Sequence, residues 1–183
     1  YRVPWFRKID SKNGIILRVH YKSKLDSEEQ GEGFDTKFSW DIPLLQGYQW
    51  SVQNISSDLP PRKQESLLRS IRSADVAVVT GWYDEFLVRA TLFAQITSTP
   101  LLIRGESNAL RSRPWYKRLV HTAYLRLFDR FLAIGDANRC FYESYGISTD
   151  YIHSAPYCVE NKRFEDAHQN HRTNRSQIRR SFG

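Results

Sequence analysis

Two rhythms of apolar residues alternate through most of the chain. Short continuous runs, Val76-Ala-Val-Val79, Leu101-Leu-Ile103 and Phe131-Leu-Ala-Ile134, have the length and β-branched character of strands buried on both faces. Between them apolar residues recur at intervals of three and four, the spacing of one helix face. Leu67, Leu68 and Ile71 mark such a stripe within 63–73. A second helix runs from the capping residue Asp84 to about Gln95, and a third spans 114–128 with Leu119, Val120, Tyr124, Leu127 and Phe128 on one side. Gly135-Asp136 opens a fourth that ends near Gly146, and Tyr151-Ile152 makes a last short strand. Strand, turn and helix in repetition predict an α/β fold: a Rossmann-like parallel sheet with helices on both faces.

The front of the chain is less regular. Residues 3–8 read as a short helix with Pro4 in its first turn. Residues 14–20 read as a strand, and 21–59 as a long mixed segment with no sustained period. Doubly wound domains ordinarily open on a strand that lies centrally in the sheet. This order opens on a helix, so the expectation is a missing first strand and a gap in mid-sheet.

Composition narrows the class without naming it. The chain has 183 residues, 40% of them hydrophobic, enough for one domain with a core. No apolar run reaches the length of a membrane span, and Tyr1-Arg-Val-Pro-Trp5 lacks the charged-then-apolar pattern of a signal peptide. A chain without methionine, even at position 1, is expected to be a fragment or a processed product. Cys140 and Cys158 lack metal or redox spacing and are expected to be buried, reduced thiols of a cytoplasmic protein. The net charge of +7 includes a late cluster at Lys162, Arg163, Arg172, Arg175, Arg179 and Arg180. It admits anionic ligands and anionic membrane faces. With no recognition motif beside it, it gives no case for nucleic acid.

In open parallel sheets, ligands bind beyond the carboxyl ends of the strands. Three clusters fall there: Thr80-Gly81-Trp82, Arg104-Gly105-Glu106-Ser107 and Gly135-Asp136-Ala-Asn138. The arginine fork suits a phosphate or carboxylate, the glutamate accepts from sugar hydroxyls, and an indole stacks on the apolar face of a sugar. The plain readings are that the glycines relieve tight turns, that Arg104 and Glu106 pair with neighbours, and that Trp82 is packing. Neither a dinucleotide fingerprint, a P-loop nor a Gly-x-Ser-x-Gly elbow is present. His168 and His171 share a helical face without a third ligand, so no metal site is expected. His153, at a strand end, is the one other histidine of interest.

Several short segments together resemble the N-terminal domain of group 1 (family 4-type) glycosyltransferases of the GT-B fold. They are Val3-Pro-Trp-Phe6, Phe38-Ser-Trp-Asp41 with Pro43-Leu-Leu45 and Gly47-Tyr48, Thr80-Gly-Trp82, Arg104-Gly-Glu-Ser107, Phe131 to Gly135, Asn138 to Tyr142, Tyr145-Gly146, Ala155 to Val159 and Asn161 to Phe164. Each is short, and it is their shared order along nearly the whole chain that carries the likeness.

The resemblance implies two Rossmann-like domains facing across a cleft. Residues 1–172 would be the acceptor-side domain, and 173–183 the start of a linker into a C-terminal donor domain outside these 183 residues. That second domain would bind the nucleotide-sugar co-substrate and carry a paired-glutamate motif, so this chain alone is expected to be inactive. Trp82, Arg104, Glu106, Ser107 and Asn138 would face the cleft and position the acceptor hydroxyl. No general base is identified. Transfer would need no metal or other cofactor. The acceptor would be a saccharide, a lipid-linked sugar or a small molecule, with possible peripheral contact at the inner face of the membrane. The alternative is a non-catalytic Rossmann-like module that binds an anionic ligand or partner.

Overall fold

The computed structural model describes residues 2–23, 43–52, 66–110, 113–159, 161–172 and 179–180. Among them the elements run α1 (Val3–Asp10), β1 (Arg18–Tyr21), β2 (Gln49–Val52), α2 (Leu67–Arg72), β3 (Ala77–Val79), α3 (Glu85–Thr97), β4 (Leu101–Ile103), α4 (Trp115–Leu125), β5 (Arg130–Ala133), α5 (Asp136–Ser144), β6 (Ile152–Ser154) and α6 (Asn161–Arg172). The fold is α/β and Rossmann-like, with parallel strands flanked by helices.

Four strands form one parallel sheet in the order β3-β4-β5-β6, each paired with its successor in sequence. β1 and β2 form a second, two-stranded parallel sheet. A division separates the two sheets among the described residues. Side chains cross it: Arg2 Nη1 donates to Thr80 Oγ1 (3.2 Å), Arg18 Nη1 to Ser73 Oγ (3.1 Å) and Lys22 Nζ to Asp84 Oδ2 (2.8 Å).

Each sheet has its own core. Leu101, Ile103, Phe131, Ala133, Phe141 and Tyr142 form the centre of the larger one, joined by Leu125, Phe128 and Ile152. Full burial of side chains of this size stabilises by roughly 1.5–3 kcal/mol each. Val3, Phe6, Val19 and Tyr48 make the smaller cluster between α1 and the β1–β2 pair.

Four expectations are corrected. β3 is covered on one face only: Val79 is buried, while Val78, and Val76 just before the strand, point to the opposite face and are exposed. The segment 21–59 holds the strand β2, in which Gln49 is exposed, Trp50 half-buried, and Ser51 and Val52 buried. Leu119 and Val120 do not share the buried side of α4, since Tyr124, Leu125 and Phe128 take that side and leave them outward. Cys140 and Cys158 are exposed free thiols, placed on the outer side of α5 and in the loop after β6. Residues 173–178 and 181–183, most of the expected linker, and Phe38 to Asp41 lie outside the described residues.

Candidate acceptor cleft

The ends of β3 and β4 open onto a cleft of about 670 Å³. Its walls include Thr80, Gly81, Trp82 and Tyr83 after β3, and Gly105, Glu106, Ser107, Asn108, Leu110 and Arg113 after β4. Arg2, at the start of α1, closes one side. The two turns approach closely: a Cβ on Gly105 would lie 4.0 Å from the Gly81 Cα and 3.5 Å from the Tyr142 hydroxyl. Gly81 has φ +113°, where a side chain is strained, and its added Cβ would meet the Tyr83 ring at 3.3 Å.

The five residues singled out from sequence divide into two groups. Trp82, Glu106 and Ser107 are on the wall. Trp82 leans on the core, 6.0 Å from Phe141 in a stacked arrangement and 5.5 Å from His121, which fixes its indole at the cleft margin.

Arg104 and Asn138 stand behind the wall. Arg104 is buried, and its Nε and Nη2 donate to the Ala155 carbonyl at 3.3 and 3.1 Å. Its guanidinium lies 4.6 Å from the Tyr157 ring centre and 5.4 Å from that of Trp5. Asn138, also buried, donates from Nδ2 to the Ser107 carbonyl (2.6 Å) and accepts from the Ile134 N–H at 3.2 Å. It thereby ties the turn after β4 to the N-terminal end of α5. Burial pushes the neighbouring Tyr142 hydroxyl upward in pKa, opposed by Asn138, the Gly105 backbone and Arg104.

Three residues of the site have no strong signal in the sequence. Arg2 reaches Thr80 and comes within 3.8 Å of Glu106 Oε1. The Tyr157 hydroxyl donates to Glu106 Oε1. Its pKa is raised by burial first and then by Glu106, with Arg104 and Arg2 acting against them. Arg113 donates from Nη1 to the Asn108 carbonyl (2.9 Å) and lies over the Phe141 ring at 5.0 Å. Tyr157 stands in the loop after β6. Arg2 had no local signal, because its partners are far along the chain.

The chemistry of the wall follows from this inventory. The described wall carries two arginines, Arg2 and Arg113, and one carboxylate, Glu106. A glutamate, a serine and an asparagine supply acceptors and donors for hydroxyls beside one indole. That set suits a hydroxylated ligand carrying an anionic group. Among the described residues no group of His, Cys, Asp and Glu could hold a metal ion. His153 is exposed on β6, away from the wall. Comparison with family models, curated proteins and solved structures finds no match for the chain.

Proposed function

We propose that this chain is the acceptor-binding half of a glycosyltransferase that moves a sugar from a nucleotide-sugar to a hydroxyl-bearing acceptor. The observation that carries the reading is Glu106. It is an exposed carboxylate at the carboxyl end of a parallel strand, held between Arg2 and Tyr157 on the wall of the cleft. A carboxylate placed there accepts from a sugar hydroxyl, Trp82 offers an apolar face, and Arg2 and Arg113 favour an acceptor with phosphate or carboxylate nearby. Transfer itself falls to a donor domain, and Glu106 acts here to orient the acceptor.

Glu106→Gln keeps the shape and removes the charge. In a transfer assay on the natural gene product it raises the acceptor KM about tenfold, the scale of one charge-assisted hydrogen bond, and leaves the donor KM unchanged. Equal effects on both, or none, contradict the assignment.

A second reading, a binding module without chemistry, draws on the excess of guanidinium over carboxylate on the wall. It predicts saturable, salt-sensitive binding of an anionic ligand such as a sugar phosphate by the 183-residue chain and no turnover in the natural gene product.

A further inference from the structure

Glu106 Oε1 and Arg2 Nη2 lie 3.8 Å apart on the cleft wall. A carboxylate and a guanidinium that nothing else holds close to about 2.8 Å, the distance of a charge-assisted hydrogen bond. Here each has another partner. Arg2 donates from Nη1 to Thr80 Oγ1 at 3.2 Å, just past the end of β3. Glu106 Oε1 accepts from the Tyr157 hydroxyl. The opposite charges therefore stop short of a full ion pair.

Tyr157 is itself fixed by a reciprocal arrangement of two loops. Arg104 and Glu106 stand two residues apart after β4, and Ala155 and Tyr157 two apart after β6. The Arg104 N–H donates to the Val79 carbonyl at 2.8 Å and the Ala155 N–H to the Ala133 carbonyl at 2.7 Å, so both loops leave the sheet from fixed points. The buried Arg104 side chain then joins them. It donates to the Ala155 carbonyl, and its guanidinium lies 4.6 Å from the centre of the Tyr157 ring. A ring seated on that cation directs its hydroxyl to Glu106. Tyr157 does not line the cleft, so it acts on a ligand through Glu106.

We propose that Tyr157 is a positioning residue: it holds Glu106 off Arg2, so that the carboxylate stays available to a hydroxyl and the guanidinium to an anionic group of the same ligand. The hydrogen bond and the ion contact of Glu106 both use Oε1, which leaves Oε2 for the ligand hydroxyl. Without the phenol, the two charges would neutralise each other, and the wall would lose its carboxylate and one of its two arginines together. The lock stands without sugar transfer; only the naming of the ligand as a sugar acceptor rests on that reading.

Tyr157→Phe removes the hydroxyl and keeps the ring on Arg104, so the melting temperature changes little. In a crystal structure of the natural gene product carrying it, the Glu106 carboxylate closes on Arg2 to about 2.8 Å. A carboxylate that stays in place, or turns out to solvent, overturns the proposal. A ring-labelled tyrosine titration by NMR reads the same lock from its other end. Burial first, and then Glu106, raise the pKa of the Tyr157 hydroxyl, so Glu106→Gln lowers it, and an unchanged titration also overturns the proposal. Neither measurement needs a ligand. In the transfer assay, Tyr157→Phe raises the acceptor KM about tenfold, leaves the donor KM unchanged and adds nothing further in the Glu106→Gln background. Additive effects would mark a merely structural residue and overturn the positioning role while leaving sugar transfer in place. A wild type without turnover removes sugar transfer, and the structure and the titration then decide the lock.

Discussion

Arg104 and Glu106 are two residues apart on one loop, and their surroundings give them different work. The Arg104 fork is spent on the Ala155 carbonyl and its faces on Trp5 and Tyr157, so it joins α1, β4 and the segment after β6. Arg104→Ala should lower unfolding stability by about 2–4 kcal/mol, from lost charged hydrogen bonds and cation–π contacts. Arg104→Lys should restore little, lacking the fork. Urea denaturation measures both, and an unchanged midpoint for Arg104→Ala would return that residue to the cleft. His121 gives a pH signature. Burial, and then Arg113 and Lys117, push its pKa below the ordinary 6.5. The unfolded chain therefore takes up this proton before the folded one does. This contribution is intact above about pH 6.5 and is lost as pH falls from there toward the lower folded value. His121→Gln should flatten the fall in melting temperature across that window; a parallel shift of the whole curve would point to another group.

At the scale of elements, what was legible followed from local physics. The apolar runs of β3, β4 and β5 and the Asp84 cap, whose Oδ1 accepts from the Phe86 N–H at 2.7 Å, are signals carried within a few residues. β2 is four residues long, Gln49–Val52, and buries Ser51 beside Val52, so it is too short and too irregular to stand out from the polar stretch around it. The two-sided character of α4 escaped because periodicity reports that a helix has apolar residues, not which of two apolar sides meets the core. The site was legible to the same degree. Strand ends point to Trp82, Glu106 and Ser107, and all three line the cavity. Nothing local separates an arginine aimed at a ligand from one turned back onto a carbonyl 51 positions away, as Arg104 is, and nothing local announces Arg2.

Among the described residues, two parallel sheets are tied by side chains rather than by one continuous ladder. Backbone amides paired within the larger sheet should therefore open only with its core, while those of β1 and β2 follow the smaller cluster of Val3, Phe6, Val19 and Tyr48. Hydrogen exchange should find β4 and β5 the slowest strands, with β1 and β2 clearly faster. Uniform protection across both sheets would mean that they unfold as one unit. The cleft lies at the end of β3 and β4, on the more cohesive sheet, with Arg2 reaching in from the other. Binding an anionic acceptor against Arg2 would thus tie the two sheets together, and slow exchange in β1 and β2 on its addition would follow.

The central claim is sugar transfer with the acceptor held at Glu106. Its most direct test is a panel of sugar-nucleotides incubated with the natural gene product and saccharide or lipid-linked acceptors, following nucleoside diphosphate release and glycosylated product. The account predicts acceptor-dependent release with at least one donor, together with the selective rise in acceptor KM in Glu106→Gln. No turnover with any donor, beside saturable binding of a sugar phosphate by the 183-residue chain, would contradict it and leave a binding module in its place.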